Sequence, residues 1–220
     1  MPTPVPLSWI VTSTSSGSSA GLGRHLTEML LARGDRLHTA ELDVTAGPAV
    51  RRAVDEAFAA LGRADIVVCD AGHALPVTTG DLTDEQIARL VVTDLLGPVR
   101  VARAALHHLR VQGGGHIVQI AGAWELEGFF DALADEAAPY GIGTTLVRTT
   151  LAGGTLRPVA DPAKTARAII DCAALDPAPR RLTLGSDAYE AELAALTARL
   201  AELEAQRELA YAADTDDVRH

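Results

Sequence analysis

Lysine is almost absent from this chain, since Lys164 is the only one among 220 residues. Chemistry that pairs a lysine with another catalytic group therefore has a single address to satisfy. Cysteine is nearly as scarce: Cys69 and Cys172 are too few for a disulfide framework, and neither stands in a C-x-x-C or His/Cys spacing that would hold a metal. A reducing, cytoplasmic setting and no metal centre are the expectations. Basic charge is also in deficit, with 19 Lys and Arg against 29 Asp and Glu and a formal net charge of −10. That balance gives no electrostatic footprint for a phosphate backbone or an anionic lipid surface, so nucleic acid and membrane are not expected partners. No uncharged apolar run approaches the roughly 18 residues of a membrane span. The start, Met-Pro-Thr-Pro-Val-Pro, lacks the basic and apolar regions of an export signal.

What is present describes one globular domain over residues 1–220, with 48% hydrophobic and 22% charged residues, ending in a helix and acidic tail over 188–220. Trp9-Ile10-Val11 reads as a strand that stops in a Ser/Thr/Gly stretch. Leu22, Leu26, Met29 and Leu30 share one face of a helix closed by Gly34. Arg36 to Thr45 reads as extended, Val50 to Leu61 as helical, and Ile66-Val67-Val68-Cys69 as a strand buried on both faces, as in a parallel sheet. Thr83 and Gln86 have the spacing of a capping box, opening a helix that Gly97-Pro98 interrupts and that resumes to about Arg110. Strands follow at His116–Ile120, Thr144–Val147 and Arg181–Leu184, with a helix from Pro162 to Ala174 capped by Asp161 and a last helix from Ala188 to Ala212. The alternation predicts an α/β doubly wound parallel sheet. Leu193, Leu196, Leu200 and Leu203 fall at coiled-coil spacing. Two heptads fall short of the three or four that define a coil, so packing on the chain's own domain is the expectation and a dimer seam the alternative.

Between the first strand and first helix stands Ser16-Gly17-Ser18-Ser19-Ala20-Gly21-Leu22-Gly23. Glycines at these positions allow a tight turn and close approach of backbone to a pyrophosphate, beside the unpaired N–H groups of a helix start. The loop resembles T-G-x-x-x-G-x-G of the short-chain dehydrogenase/reductase family, and other landmarks follow in family order. Leu42-Asp43-Val44-Thr45 resembles L-D-V-T beside the adenine pocket, Cys69-Asp70-Ala71-Gly72 resembles N-N-A-G, and Thr93-Asp94 falls at T-N. Gly115 to Ile120 resembles G-H-I-V-N-I, and Leu182 to Asp187 the last strand of a bacterial subgroup. The resemblance implies a Rossmann-like fold and a nucleotide site at Ser16, Gly17, Gly21, Leu22, Gly23, Asp43, Ala71 and Gly72. NAD(P) is the candidate cofactor, with no cofactor certain.

The family's chemistry uses a serine, a tyrosine with a lysine four residues later, and an asparagine. Four residues after Tyr140, Tyr189 and Tyr211 stand Thr144, Leu193 and Thr215, so no Tyr-x-x-x-Lys pair exists. Gly122 stands at the serine and Asp94 at the asparagine. Only Gly128 to Ala138 remains of the catalytic helix, and Arg36 to Asp43 is too short for the family's strand, helix and strand, so one strand–helix unit is expected to be missing. Glu41 is what remains as a candidate for reading the ribose.

Three functions remain open. The preferred one is a repurposed, non-redox enzyme (cyclase, dehydratase or isomerase type) acting on a small molecule in a biosynthetic pathway. Its groups would be Asp94, His73, Asp70 and Glu125 in the cleft at the strand ends, with Trp124 and Glu127 nearby. The alternative is a pseudoenzyme or non-catalytic subunit, and the third an NAD(P)-dependent oxidoreductase. A homo-oligomer, or a heteromer with a partner of the same fold, is the expected assembly.

Overall fold

A computed structural model describes residues 6–13, 20–70, 82–121, 126–150 and 159–214. In chain order its elements are β1 (Ser8–Ser13), α1 (Ala20–Ala32), β2 (Arg36–Glu41), α2 (Gly47–Leu61), β3 (Ile66–Asp70), α3 (Asp84–Leu90), α4 (Gly97–Gln112), β4 (Gly115–Ala121), α5 (Glu127–Ala137), β5 (Ile142–Thr149), α6 (Pro162–Ala173), β6 (Arg181–Leu184), α7 (Ser186–Ala205) and α8 (Arg207–Ala212). The strands form one parallel sheet in the order β2-β1-β3-β4-β5-β6. Among the described residues only β2 lies beyond β1, which accords with the short Arg36–Asp43 stretch.

Strand alternation divides the apolar residues between two faces. Ile10, Val67, Cys69, Ile117 and Leu146 pack with Val54, Phe58, Val101, Leu109 and Phe130 from α2, α4 and α5. Trp9, Val11, Ile66, Val68 and Val147 pack on the other face with Leu22, Leu26, Ile169 and Ile170 from α1 and α6. Because α1 and α6 share a face while β1 to β2 and β5 to β6 step in opposite directions, their crossovers have opposite hands. The β5–α6–β6 unit is thus the left-handed exception to a rule that parallel crossovers obey about 98% of the time.

Local signals explain most boundaries. Thr83 and Gln86 form the capping box in both directions, and the Asp161 carboxylate accepts from Lys164 N. Gly34 and Gly113 close helices at φ +80° and +83°, a left-handed conformation that favours glycine. α2 begins at Gly47 rather than Val50 because Pro48 fits the first helical turn, where no N–H is needed. Gly97-Pro98 does not interrupt the long helix as expected. A π-helical stretch, Val91–Leu96, joins α3 to α4 and absorbs the missing proline N–H without a break.

The end of the chain departs further from expectation. The expected 188–212 helix is two, α7 and α8, and neither contains a buried residue. Leu193, Leu196, Leu200 and Leu203 remain 52%, 48%, 56% and 68% exposed, so the described residues of the domain do not cover this leucine stripe. Among the described residues no helix is long and apolar enough to cross a membrane.

Candidate functional site

The sheet changes winding direction between β1 and β3, with α1 on one face and α2 on the other. Open α/β sheets bind ligands in the crevice outside such a point, at the carboxyl ends of the strands. Three residues close those ends here: Ser13 on β1, Glu41 beside it on β2, and Asp70 beside it on β3. Asp70 is buried at 3% exposure on the α1 face. A Cβ built on Gly23 would lie 3.2 Å from Asp70 Oδ2. Glycine is therefore what lets α1 approach the end of β3 this closely. At Gly21 an added Cβ would meet nothing within 4 Å among the described residues, so that side of the helix start is open to them. α1 carries no acidic residue in its first turn, which leaves its positive dipole end uncancelled by its own side chains. Leu22 turns inward and its side chain belongs to the core, so it offers the site no side chain.

The segment after β2 is built as a second wall. Leu42 and Val44 are buried while Asp43 is exposed, its Oδ1 accepting from Thr45 N at 2.9 Å and Thr45 Oγ1 at 2.6 Å. These two bonds hold the Asp43 carboxyl below the usual carboxylate range. Arg100 Nη1 donates to Val44 O and Thr45 O, both at 2.8 Å, and so latches this turn to α4. Val44 in turn lies so close to Gly97 that a Cβ there would come within 2.7 Å of its Cγ2.

Asp94 lies in the π-helical stretch, where its Oδ1 accepts from Thr93 Oγ1 at 2.7 Å. Such turns recur at functional sites because they redirect side chains that a regular helix would space evenly. His73, Glu125, Trp124, Ser16, Gly17, Ala71 and Gly72 lie outside the described residues. Glu127 opens α5, half-buried, and joins a group at the ends of β5 and β6 that sequence reasoning missed. Arg148 on β5 is 8% exposed, and its Nη1 meets Glu127 Oε1 at 3.0 Å while its Nε lies 3.7 Å from Glu192 Oε2. Arg181 Nε donates to Glu127 Oε2 at 2.8 Å and Arg181 Nη2 to Asp131 Oδ1 at 2.6 Å. Thr183 Oγ1 donates to Glu192. The signal for this group in the sequence is an arginine directly after the buried run Thr144–Val147, a position an apolar strand does not ordinarily end on.

A parallel, doubly wound sheet with a glycine-bearing helix start at its switch point defines the Rossmann-like class of α/β protein. The chain belongs to the short-chain dehydrogenase family, whose pattern it matches over residues 11–134. It is 30% identical over 192 residues to the oxidoreductase BOA17 of Botryotinia fuckeliana, covering 68% of this chain and 69% of that protein. It is 25% identical to a 3-ketodihydrosphingosine reductase of Bacteroides thetaiotaomicron, over 60% of this chain and 61% of the relative's length. Among solved structures, a short-chain dehydrogenase from Streptomyces avermitilis superposes with a TM-score of 0.83 at 25% identity, covering 96% of this chain and 100% of that one. ElxO with NADP bound shares the fold at 17% identity and a TM-score of 0.66, over 81% of this chain and 97% of its own.

These relatives overturn the preference for non-redox chemistry. They are named as an oxidoreductase, a reductase and, in a further case from Sphingomonas, an NAD(+)-dependent dehydrogenase. The missing Tyr-x-x-x-Lys pair is a fact of the sequence, and the relatives of the chain that lacks it are redox enzymes by name.

Proposed function

We propose that this protein is a nicotinamide-dinucleotide-dependent oxidoreductase of the short-chain type, acting on a small molecule at the C-terminal edge of the sheet. The observation that carries this reading is the crevice between β1 and β3, where Gly23 brings the start of α1 against Asp70, in a chain whose relatives are redox enzymes. The residues present fit a dinucleotide. The α1 amides and the open side of Gly21 would take the pyrophosphate, and Asp43, whose Oδ1 is held by Thr45, would accept from the adenine amino group through its other oxygen. Glu41 ends β2 directly beside Ser13, where a carboxylate accepts the ribose 2′-hydroxyl and repels a 2′-phosphate, so NAD is favoured over NADP. The nicotinamide, when bound, supplies or accepts the hydride.

The chain itself must handle the proton, and Asp94 is the residue assigned to it. A carboxylate oriented by the Thr93 hydroxyl accepts the proton of a substrate hydroxyl as hydride leaves the carbon that bears it, and returns that proton in the reverse direction. His73 and Glu125 are retained as further candidates, and Asp70 is placed at the cofactor rather than the substrate. Buried thiols at Cys69 and Cys172, neither of them in a disulfide, suit a reducing cytoplasm.

The test is deuteride transfer from 4-deuterated NADH to a panel of small carbonyl compounds, read by mass spectrometry. Deuterated alcohol is expected from the wild type, with Asp94→Asn slower by about 10²–10⁴-fold and unchanged in NADH affinity. Transfer that proceeds equally well in Asp94→Asn would remove Asp94 from the chemistry.

A further inference from the structure

Helix α7 is 20 residues long and, among the described residues, is fastened to the domain only at its start. Thr150 Oγ1 donates to Asp187 Oδ2 at 2.9 Å, and Glu192 accepts from Thr183 and faces Arg148. From Leu196 to Asp214 every residue is exposed. Along this projecting part Leu193, Leu196, Leu200 and Leu203 recur at alternating steps of three and four. At 100° per residue these four fall within an arc of about 80°, so they form one narrow stripe. A seam of that width is what two helices share when a and d positions face each other.

We propose that α7 pairs in parallel with α7 of a second copy of this chain. With Leu193 and Leu200 at a and Leu196 and Leu203 at d, the flanking e and g positions hold Thr197, Arg199, Glu204 and Gln206, preceded by Glu190 at e and by Glu192 at g, which is engaged with the domain. In a parallel pair a g residue faces the e residue five places on in the other helix. Arg199 then meets Glu204 of the other copy, twice by symmetry. The antiparallel register that covers all four leucines sets Arg199 against Arg199 and Glu190 against Glu204, like charge against like. Charge complementarity therefore selects the parallel arrangement. Neither Arg199 nor Glu204 has an ion-pair partner within the chain among the described residues. The pairing is independent of the redox reading and stands or falls separately from it.

The test is sedimentation equilibrium of the full chain between about 1 and 100 μM, a range that brackets micromolar association. The wild type is expected to dimerise. Leu196→Asp/Leu200→Asp is expected to be monomeric with an unchanged circular dichroism spectrum, since neither leucine belongs to the core. Arg199→Glu and Glu204→Arg should each weaken the dimer about tenfold, a change of about 1.4 kcal/mol, and the double exchange should restore it. Leu203→Cys should cross-link to its counterpart on oxidation, because d faces d only in the parallel pair and Cys69 and Cys172 are buried. A monomeric wild type, a dimer untouched by the two aspartates, or a dimer strengthened by Glu204→Arg would each overturn the proposal.

Discussion

Replacing Gly97 by alanine tests how tightly the Leu42–Thr45 wall is pressed against the long helix. Gly97 has ordinary helical geometry, φ −57° and ψ −61°. Alanine at an unconstrained position of that kind would stabilise the helix by about 1 kcal/mol. Here the new Cβ would lie 2.7 Å from Val44 Cγ2 and 2.8 Å from Val44 Cβ, and Val44 is 2% exposed. The clash falls on a stiff β-branched side chain whose backbone carbonyl is held by Arg100, so it belongs at the upper end of overpacking costs, about 3 kcal/mol. The expected net loss is about 2 kcal/mol, or about 4–8 °C in Tm for a chain of this length. Urea unfolding of Gly97→Ala, Val44→Ala and the double variant measures it. Shortening Val44 should relieve the clash and give a coupling of at least about 1 kcal/mol between the two sites. A stabilised Gly97→Ala, or strictly additive effects, would show that the wall and the helix are not in contact.

Three other perturbations bear on the same sheet. Arg100→Ala removes two charge-assisted bonds to the Val44 and Thr45 carbonyls and should cost about 2 kcal/mol in urea unfolding, with weaker dinucleotide binding because the Asp43 turn is released. Arg148→Ala removes the buried cation shared by Glu127 and Glu192; because Glu127 keeps Arg181 and Glu192 keeps Thr183, the cost should be at the lower end for a broken buried pair, about 3 kcal/mol, measurable as a lower urea midpoint at unchanged slope. Burial pushes the His116 imidazole below its ordinary value, partly offset by its bond to Ala173 O. A depressed folded value means the unfolded chain takes the proton first, so this stability is complete above about pH 6.5 and is lost as pH falls through the folded value, by up to about 1.4 kcal/mol per pH unit. Unfolding measured from pH 7.5 to 5 should flatten by that amount in His116→Gln, and an unaltered slope would show that His116 is not the group responsible.

Much of the fold was legible because its signals are local. The β-branched runs at Trp9–Val11 and Ile66–Cys69, the Thr83 and Gln86 capping pair, and Asp161 before Pro162 each declare an element through a few neighbouring residues. The features that escaped depend on distant ones. Pro98 breaks a helix by itself, but the π-helical stretch Val91–Leu96 ahead of it accommodates it. Arg148 could be recognised as buried and paired only once Glu127 from α5 and Glu192 from α7 were brought to the end of β5. The leucines of α7 carried an apolar stripe in either outcome, and nothing in the sequence says whether the domain reaches far enough to cover it. For the site, the motifs name Gly21, Gly23, Asp43 and Asp70 as candidates, and the structure adds what the motifs do not contain: the closeness of Gly23 to Asp70 and the Arg100 latch behind Asp43. The reaction class was misjudged because a missing pair of residues was given more weight than the remaining pattern.

Calorimetric titration of the purified protein with NADH and NADPH, alongside Gly23→Val, tests the central claim most directly. The expected result is micromolar binding of NADH, weaker binding of NADPH, and loss of both in Gly23→Val, whose larger side chain would push α1 away from Asp70. No heat of binding from either nucleotide up to millimolar concentration, in a protein that is folded by circular dichroism, would contradict the assignment of the β1/β3 crevice as a dinucleotide site and with it the redox function proposed here.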